Sequence, residues 1–384
     1  MQTLTLPQYD IHIDHPPEQL ARFLAERDYS QVAVLVDEHT RHHCLPLLDP
    51  LLPSRRFIVE IPAGEQHKQL LTCETVWNAL LRNNMDRRGV LLCLGGGVIG
   101  DLGGFCAATY LRGIDFIQVP TTLLAMTDSA VGGKVGIDLS FVKNIIGAFR
   151  DPAVVFLFPS LLRTLPREEV RSGFAELIKH ALIADPALWR DLLDIHRLEE
   201  ADWQRLLPPS ITVKQNVVTT DPQETGRRKI LNFGHTIGHA AETMALQAAH
   251  AGEPQRNPLR HGEAIAIGMI CESWLSWKCN GLSYQDLVDI TAFLQRFFSH
   301  QPLPEEQFPD MLAIMRKDKK NLSGKIRFSL LRDIGDAGFD HTCSDEHILE
   351  SIRFYHSVFH PTLSAQRKRT STGQVPPLTS FLPR

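Results

Sequence analysis

Two histidines four residues apart, His235 and His239 in NFGHTIGH, would point from one face of a helix about a turn apart. A third, His261, opens another helical pattern in RHGEAIAIGM, and Glu176 lies in GFAELIKHALI with Lys179 one turn further on. Two imidazoles and one carboxylate leave a coordination position open, which is the donor set of a catalytic zinc site. The chain holds 17 histidines, and most HxxxH pairs are packing or surface residues, so spacing alone leaves both readings open. His42, His43, His180 and His250 read as ordinary surface or packing histidines.

A second chemical signal is glycine. Leu91–Asp101 reads LLCLGGGVIGD, a buried-type strand running through three glycines into a helix start. Glycines permit positive φ and close backbone approach, so exposed N–H groups at a helix N-terminus can hold a pyrophosphate. The spacing is not G-x-G-x-x-G, and a plain tight turn fits it as well. Neighbouring turns add weight to the nucleotide reading. Val36–Asp37 ends an earlier strand in a carboxylate suited to ribose hydroxyls, Gly64–Lys68 (GEQHK) is a polar turn, and Thr121–Thr122 follows a fourth strand.

Cations form the third set. Lys134 ends the glycine-bearing segment DSAVGGK, followed by Lys143–Asn144, Lys179, Lys214, Arg228 and the Asp318–Lys320 run. Each alone is compatible with a solvated surface charge. Several stand beside Gly or His inside apolar runs, where a charge needs a partner that an anionic substrate would supply.

The elements that must position these groups follow from the pattern. Gln31–Val36, Arg56–Ile61, Val90–Leu94 and Phe116–Val119 read as short strands, alternating with helical stretches such as Gln69–Asn83. That alternation predicts a parallel sheet covered by helices, an α/β unit over residues 1–159. From Pro159 helical patterns dominate (Arg167–Ala184, His261–Trp277, Ser283–Phe298), with one strand expected at Ile326–Leu330. An α-helical second domain over 160–365 is expected, then a polar, Pro-bearing tail from Gln366 to Arg384 expected to be mobile.

Composition sets the outer bounds. With 384 residues, 43% hydrophobic and 22% charged, the chain can bury a large core. A net charge of −4 removes any bulk electrostatic case for nucleic acid or an anionic membrane, so anions must be met locally. Seven cysteines without a CxxC pair read as reduced core thiols in a reducing compartment, the cytoplasm. No signal peptide is expected from the first residues, and no apolar run is long enough to span a bilayer.

Together these segments resemble the 3-dehydroquinate synthase family, from about Asp37 to Gly335. The blocks that carry the resemblance are GEQHK, LGGGVIGDLGGFCAATYLRG, FIQVPTTLLAMTDSAVGGKVGID, KNIIGAF, GFAELIKH, RRKILNFGHTIGHA, HGEAIAIGM and DKKNLSGKIR, in that order. The resemblance implies a Rossmann-like N-terminal domain binding NAD, an α-helical C-terminal domain holding Zn (or Co), and a homodimer. It places Glu176, His235 and His261 on the metal. It places Asp37, Glu65, Lys68, Gly96, Gly97, Val98, Asp101, Thr121, Thr122 and Lys143 on NAD. Asp128, Lys134, Asn144, Lys179, Lys214, Arg228, Asn232, His239 and one of Lys319–Lys320 fall on substrate positions. Of these, Asp128, Lys134, Lys179 and His239 are also expected to take part in catalysis. Arg112 matches an arginine reaching the neighbouring subunit's site, and Glu224 an acidic residue assisting proton transfer.

The implied substrate is 3-deoxy-D-arabino-heptulosonate 7-phosphate, an intermediate on the shikimate route to aromatic amino acids. Transient oxidation by NAD acidifies a neighbouring proton, phosphate is eliminated, the hydride returns, and the ring opens and recloses by an aldol step. Two departures stand out: the Met244–Leu259 stretch between His235 and His261 is longer than usual, and the C-terminal tail is extra. The alternatives are a cyclase acting on sedoheptulose 7-phosphate or glucose 6-phosphate, a metal-dependent polyol dehydrogenase, and a non-catalytic NAD-binding regulator.

Overall fold

The computed structural model describes residues 1–140, 142–250, 259–317 and 325–359, without the side chains of residues 249 and 250. Lys319, Lys320, residues 251–258 of the 244–259 insertion and the C-terminal tail therefore lie outside the described residues. The chain divides into two compact units. One comprises Met1–Phe174 with Ala201–Pro222, the other Ala175–Glu200 with the chain from Gln223 onward.

The strands are β1 (Gln2–Thr5), β2 (Asp10–Ile13), β3 (Val32–Asp37), β4 (Arg56–Ile61), β5 (Val90–Gly95), β6 (Asp115–Pro120), β7 (Lys134–Leu139), β8 (Val142–Phe149), β9 (Val154–Leu157), β10 (Arg327–Asp333) and β11 (Asp336–Thr342). In the first unit seven of them make one sheet in the order β1-β2-β9-β6-β5-β3-β4. Every pairing but β1–β2 is parallel. The apolar runs VAVLV, VLLCL and VVFL belong to strands buried on both faces, as a helix-covered parallel sheet requires. β3 and β5 are neighbours, yet the chain leaves them in opposite directions, to β4 and to β6. Their carboxyl ends thus flank the topological switch point where open α/β sheets bind ligands.

The helix Gly97–Thr109 follows β5 and lies on the sheet through its glycines. A Cβ on Gly103 would sit 2.5 Å from Cys93 Sγ and 2.8 Å from a methyl of Leu35. None of Gly95, Gly96 and Gly97 has positive φ, and Gly96 adopts φ −73°, ψ −169°. The glycine turn therefore uses absent side chains rather than left-handed freedom, which corrects one of the two reasons offered from the sequence.

The second unit is mainly helical, with one hairpin, β10–β11, packed onto it. Its two histidine-bearing helices, His235–His250 and His261–Cys279, meet backbone to backbone. A Cβ on Gly268 would fall 1.8 Å from the Gly234 carbonyl oxygen, and one on Gly238 2.7 Å from that of Ala264. Gly234 itself has φ +79°, a turn conformation that L side chains rarely adopt. The Glu272 carboxylate, wholly buried on the second helix, accepts the N–H of Gly234 at 2.7 Å and of Ile237 at 3.1 Å. It fixes the start of the first helix, where His235 stands.

The cysteines need one correction. Cys44, Cys73, Cys93, Cys106 and Cys271 are buried thiols as expected, but Cys279 is exposed and Cys343 half-buried.

Candidate functional site

In the helical unit the crossing of these two helices and the helix Arg167–Ala184 assembles a donor cluster. Glu176 Oε1 lies 3.3 Å from His261 Nε2 and 3.5 Å from His235 Nε2, and the three donor atoms lie within 4.8 Å of one another. Lys179, buried one turn on, pairs with the other oxygen of Glu176. Each imidazole is held from behind. His235 Nδ1 faces the Phe233 carbonyl oxygen at 3.1 Å, and His261 Nδ1 faces Glu242 Oε2 at 3.8 Å. Outer partners of this kind fix tautomer and ring direction in metal sites, so the donor set and its backing both fit a divalent ion.

The electrostatics suit the same use. Burial works to raise the Glu176 carboxyl, but Lys179 and His235 hold it well below the usual range. Burial and the Lys179 charge keep His235 well below its ordinary value, leaving a neutral ring with a lone pair. Burial would depress His261 too, but the Glu176 and Glu242 carboxylates push it up to about 10. A metal would displace that proton on binding. His239 stands with its ring 5.0 Å from that of His235 and 6.0 Å from that of His261. With Glu242 and His261 it forms a second close donor group.

Glu242 was not singled out from the sequence. The clue was His239 and Glu242 at i, i+3, which puts a carboxylate on the helix face that carries the histidines. Glu242→Gln keeps its shape and loses its charge. Metal affinity should fall about 10–100-fold, read by competition with a chromophoric chelator, with the fold unchanged by circular dichroism. Unaltered affinity would mean that Glu242 does not act on His261.

Further along this unit Arg228 is buried in the turn Arg227–Asn232, and Asn232 donates to Glu224 Oε1 at 2.9 Å. Glu224 has φ +58°. Lys229 pairs with Asp340 of β11 at 2.8 Å, and Arg327 stands 3.4 Å from the same carboxylate. Asp340, also missed from the sequence, thereby ties the hairpin to the turn that carries Arg228 and Asn232.

In the α/β unit the expected nucleotide residues gather at the carboxyl ends of the strands. Asp37 closes β3 and caps the next helix, accepting the Thr40 N–H at 2.7 Å. Gly96, Gly97 and Val98 open the helix after β5; Thr121, buried, donates to the Gly95 carbonyl at 3.0 Å. A Cβ on Gly96 would sit 3.0 Å from the Thr122 methyl, so these two turns touch. Lys68, also buried, reaches Asp101 at 2.7 Å and Asn144 Oδ1 at 2.6 Å. Burial opposes the charge on Lys68, but the Asp101 and Glu65 carboxylates outweigh it and raise its pKa. Burial pushes the Asp101 carboxyl up in spite of Lys68.

Asp128 falls in a π-helical turn, Ala125–Ser129, a bulge often found where a side chain must be re-aimed. Lys214, from the helix Trp203–Thr220, meets its carboxylate at 2.5 Å. Lys134 follows Gly132 (φ +106°) and Gly133 (φ +64°) and is exposed, as are Glu65 and Lys143. Arg112 is exposed on a turn where Leu111, Arg112 and Gly113 all have positive φ, 50°, 68° and 120°.

A parallel sheet with a glycine turn at its switch point, and a separate helical unit with a two-histidine, one-carboxylate cluster built on a buried Glu176, define a metal-dependent α/β enzyme of the nucleotide-binding kind. Sequence comparison gives the family. The family models for 3-dehydroquinate synthase, N-terminal and C-terminal, match residues 58–172 and 173–321. The chain belongs to the 3-dehydroquinate synthase family. It is 36% identical over 344 residues to the 3-dehydroquinate synthase of Parabacteroides distasonis, covering 89% of this chain and 96% of that one. It is 42% identical over 325 residues to that of Listeria innocua serovar 6a, covering 83% and 86%. Among solved structures it is similar to 2-epi-5-epi-valiolone synthase from Streptomyces hygroscopicus subsp. jinggangensis with NAD+ and Zn2+ bound. There the identity is 25%, the TM-score 0.76, and the coverage 93% and 99%. A probable glycerol dehydrogenase from Sinorhizobium meliloti shares the fold at TM-score 0.57 and 15% identity, covering 91% and 96%.

Proposed function

We propose that this chain is a 3-dehydroquinate synthase, taking 3-deoxy-D-arabino-heptulosonate 7-phosphate to 3-dehydroquinate and phosphate. The observation that carries the reading is the Glu176–His235–His261 cluster, with Glu176 and His235 buried and His261 half-buried, backed by Phe233 and Glu242, in a chain of this family. Bound NAD supplies a hydride acceptor that returns what it takes, and a bound divalent ion, Zn or Co, supplies charge that acidifies the hydroxyl being oxidised. Glu176, His235 and His261 would hold the ion, and Lys179 keeps Glu176 ionised for that task.

Asp37, Glu65, Lys68, Gly96, Gly97, Val98, Asp101, Thr121, Thr122 and Lys143 are assigned to NAD. The helix N-terminus at Gly96 offers backbone N–H groups to a pyrophosphate, and Asp37, at the next strand end, offers a carboxylate to a ribose. Lys134, Asn232, His239 and the Lys319–Lys320 pair are assigned to the substrate phosphate, Arg228 and Lys214 to its carboxylate. Asn144 is a further substrate contact, reached through Lys68. Asp128 orients Lys214, and Glu224, held by Asn232, assists proton transfer. Cations on the phosphate stabilise the charge that develops as it leaves. The departing phosphate can itself take the proton acidified by oxidation, so that step needs no separate protein base.

The reading also carries a homodimer, zinc as the ordinary metal, and a cytoplasmic site of action. Exposed apolar side chains on the α/β unit, Leu111, Leu139, Val142, Ile145 and Phe149, support pairing with a second chain. Among the described residues no helix is long and apolar enough to cross a membrane.

The test is substrate choice. With NAD+ and Zn2+, heptulosonate 7-phosphate should give dehydroquinate, while sedoheptulose 7-phosphate and glucose 6-phosphate, which lack the carboxylate, should not turn over. Cyclisation of either carboxylate-free sugar phosphate at a comparable rate would assign the chain to a different cyclase.

A further inference from the structure

Glu272 is wholly buried, and both of its oxygens accept backbone N–H groups, from Gly234 at 2.7 Å and from Ile237 at 3.1 Å. Two N–H donors on two oxygens are the surroundings of an ionised carboxylate. It comes this close to backbone because the helix crossing lacks side chains. Gly268 stands one turn before Glu272 on the helix His261–Cys279, and a Cβ there would overlap the Gly234 carbonyl. A Cβ on Gly234 would in turn sit 2.7 Å from the Met269 side chain and 3.1 Å from the Ile265 carbonyl oxygen. The Gly234 N–H belongs to the peptide unit whose carbonyl is that of Phe233, and this same carbonyl oxygen faces His235 Nδ1 at 3.1 Å. A carbonyl only accepts, so Nδ1 carries the proton and Nε2, on the side of Glu176, keeps its lone pair.

We propose that Glu272 is a positioning residue for the metal ligand His235, acting through the Phe233–Gly234 peptide as a carboxylate–peptide–imidazole relay. A trans peptide is planar and directs its N–H and C=O to opposite sides, so Glu272 on one edge fixes where the carbonyl points on the other. Peptide resonance carries charge along the same path. An anion at the N–H shifts electron density onto the carbonyl oxygen, which strengthens the hydrogen bond that this oxygen accepts. The imidazole then shares its Nδ1 proton more fully and presents a more basic Nε2 to the ion. A metal on Nε2 acts in the reverse direction: it acidifies Nδ1–H, draws on the Phe233 oxygen and makes the Gly234 N–H a stronger donor to Glu272. The Ile237 N–H meets the same carboxylate, but its own peptide carbonyl is that of Thr236, not the one facing His235. It therefore serves as an internal reference. The inference rests on the proposed metal site and gives Glu272 a part in it beyond starting a helix. Glu242 backs His261 directly, whereas Glu272 backs His235 at one remove, through backbone.

The experiment follows the Gly234 and Ile237 amide protons of the full-length protein by NMR while the metal-free form is titrated with Zn2+. The expected result is a Gly234 proton downfield of the ordinary amide range that moves further downfield on loading, with a smaller shift at Ile237. Glu272→Gln is isosteric and uncharged. Its Zn2+ affinity should fall about tenfold, the lower end of what loss of an outer partner costs, read by competition with a chromophoric chelator. Its Co2+ form should show displaced visible absorption bands. Should that variant not fold, the two wild-type amide shifts decide alone. Equal shifts at Gly234 and Ile237, or a folded Glu272→Gln with unchanged Zn2+ affinity and Co2+ spectrum, would overturn the relay and leave the metal site standing. Failure of the wild type to take up Zn2+ would overturn the site itself, and the relay with it.

Discussion

His235→Ala and His261→Ala should each strip the bound metal and abolish turnover, whereas His42→Ala should change neither. The three donors approach one another within 4.8 Å, and each imidazole is anchored through its second nitrogen. Removing one leaves two protein ligands where the reading needs three, so the loss should exceed the about 10–100-fold expected for an outer partner such as Glu242. His42 lies exposed on the short helix Glu38–His43 of the α/β unit, outside the donor cluster. Elemental analysis after dialysis separates the cases. Full metal content in both ligand variants would remove the cluster from the account. Because Glu272, not His235, fixes the helix start, the variants should keep their circular dichroism spectrum.

Mixing Arg112→Ala with Glu176→Ala should restore activity that neither protein has alone. Leu111 and Arg112 both occupy the left-handed region, which costs of order 1–2 kcal/mol per such residue and persists only where something is gained by it. The turn presents Arg112 outward from its unit, with Leu111 exposed beside it. If Arg112 serves the partner's site, a mixed dimer holds one site with Glu176 from one chain and Arg112 from the other. With random exchange about half of the dimers are mixed and one of their two sites is whole. Activity should then approach roughly 25% of the wild type under closed two-fold symmetry. Subunit exchange without recovery would mean that Arg112 acts within its own chain or not at all.

The strands and helices legible in the sequence were those with an unambiguous period. Arg167–Ala184 stands as read, and Gln31–Val36 became β3 and Val90–Leu94 became β5, each shifted or extended by a residue. The hairpin β7–β8 was missed because VKNIIGAF is exposed at most positions and carries no buried face to set an alternation. β1 and β2 are four residues each, too short to show a pattern. β10 was expected from its apolar centre, but its partner DAGFDHT is polar and became a strand only through pairing. At the site, the chemistry-bearing types were visible and their environments were not. Glu242 and Glu272 read as ordinary helical glutamates; their burial arises where Gly234, Gly238 and Gly268 let two helices touch, a tertiary fact. The pairing of Lys68 with both Asp101 and Asn144 is likewise invisible in a chain where they stand 33 and 76 positions apart.

NAD should be used by this protein without being consumed. Purified protein given heptulosonate 7-phosphate, Zn2+ and NAD+ far below the substrate concentration should release one phosphate for each substrate converted. Absorbance at the NADH band should meanwhile stay near its starting value. Steady accumulation of NADH, one for each substrate turned over, would contradict the account and make the chain a dehydrogenase.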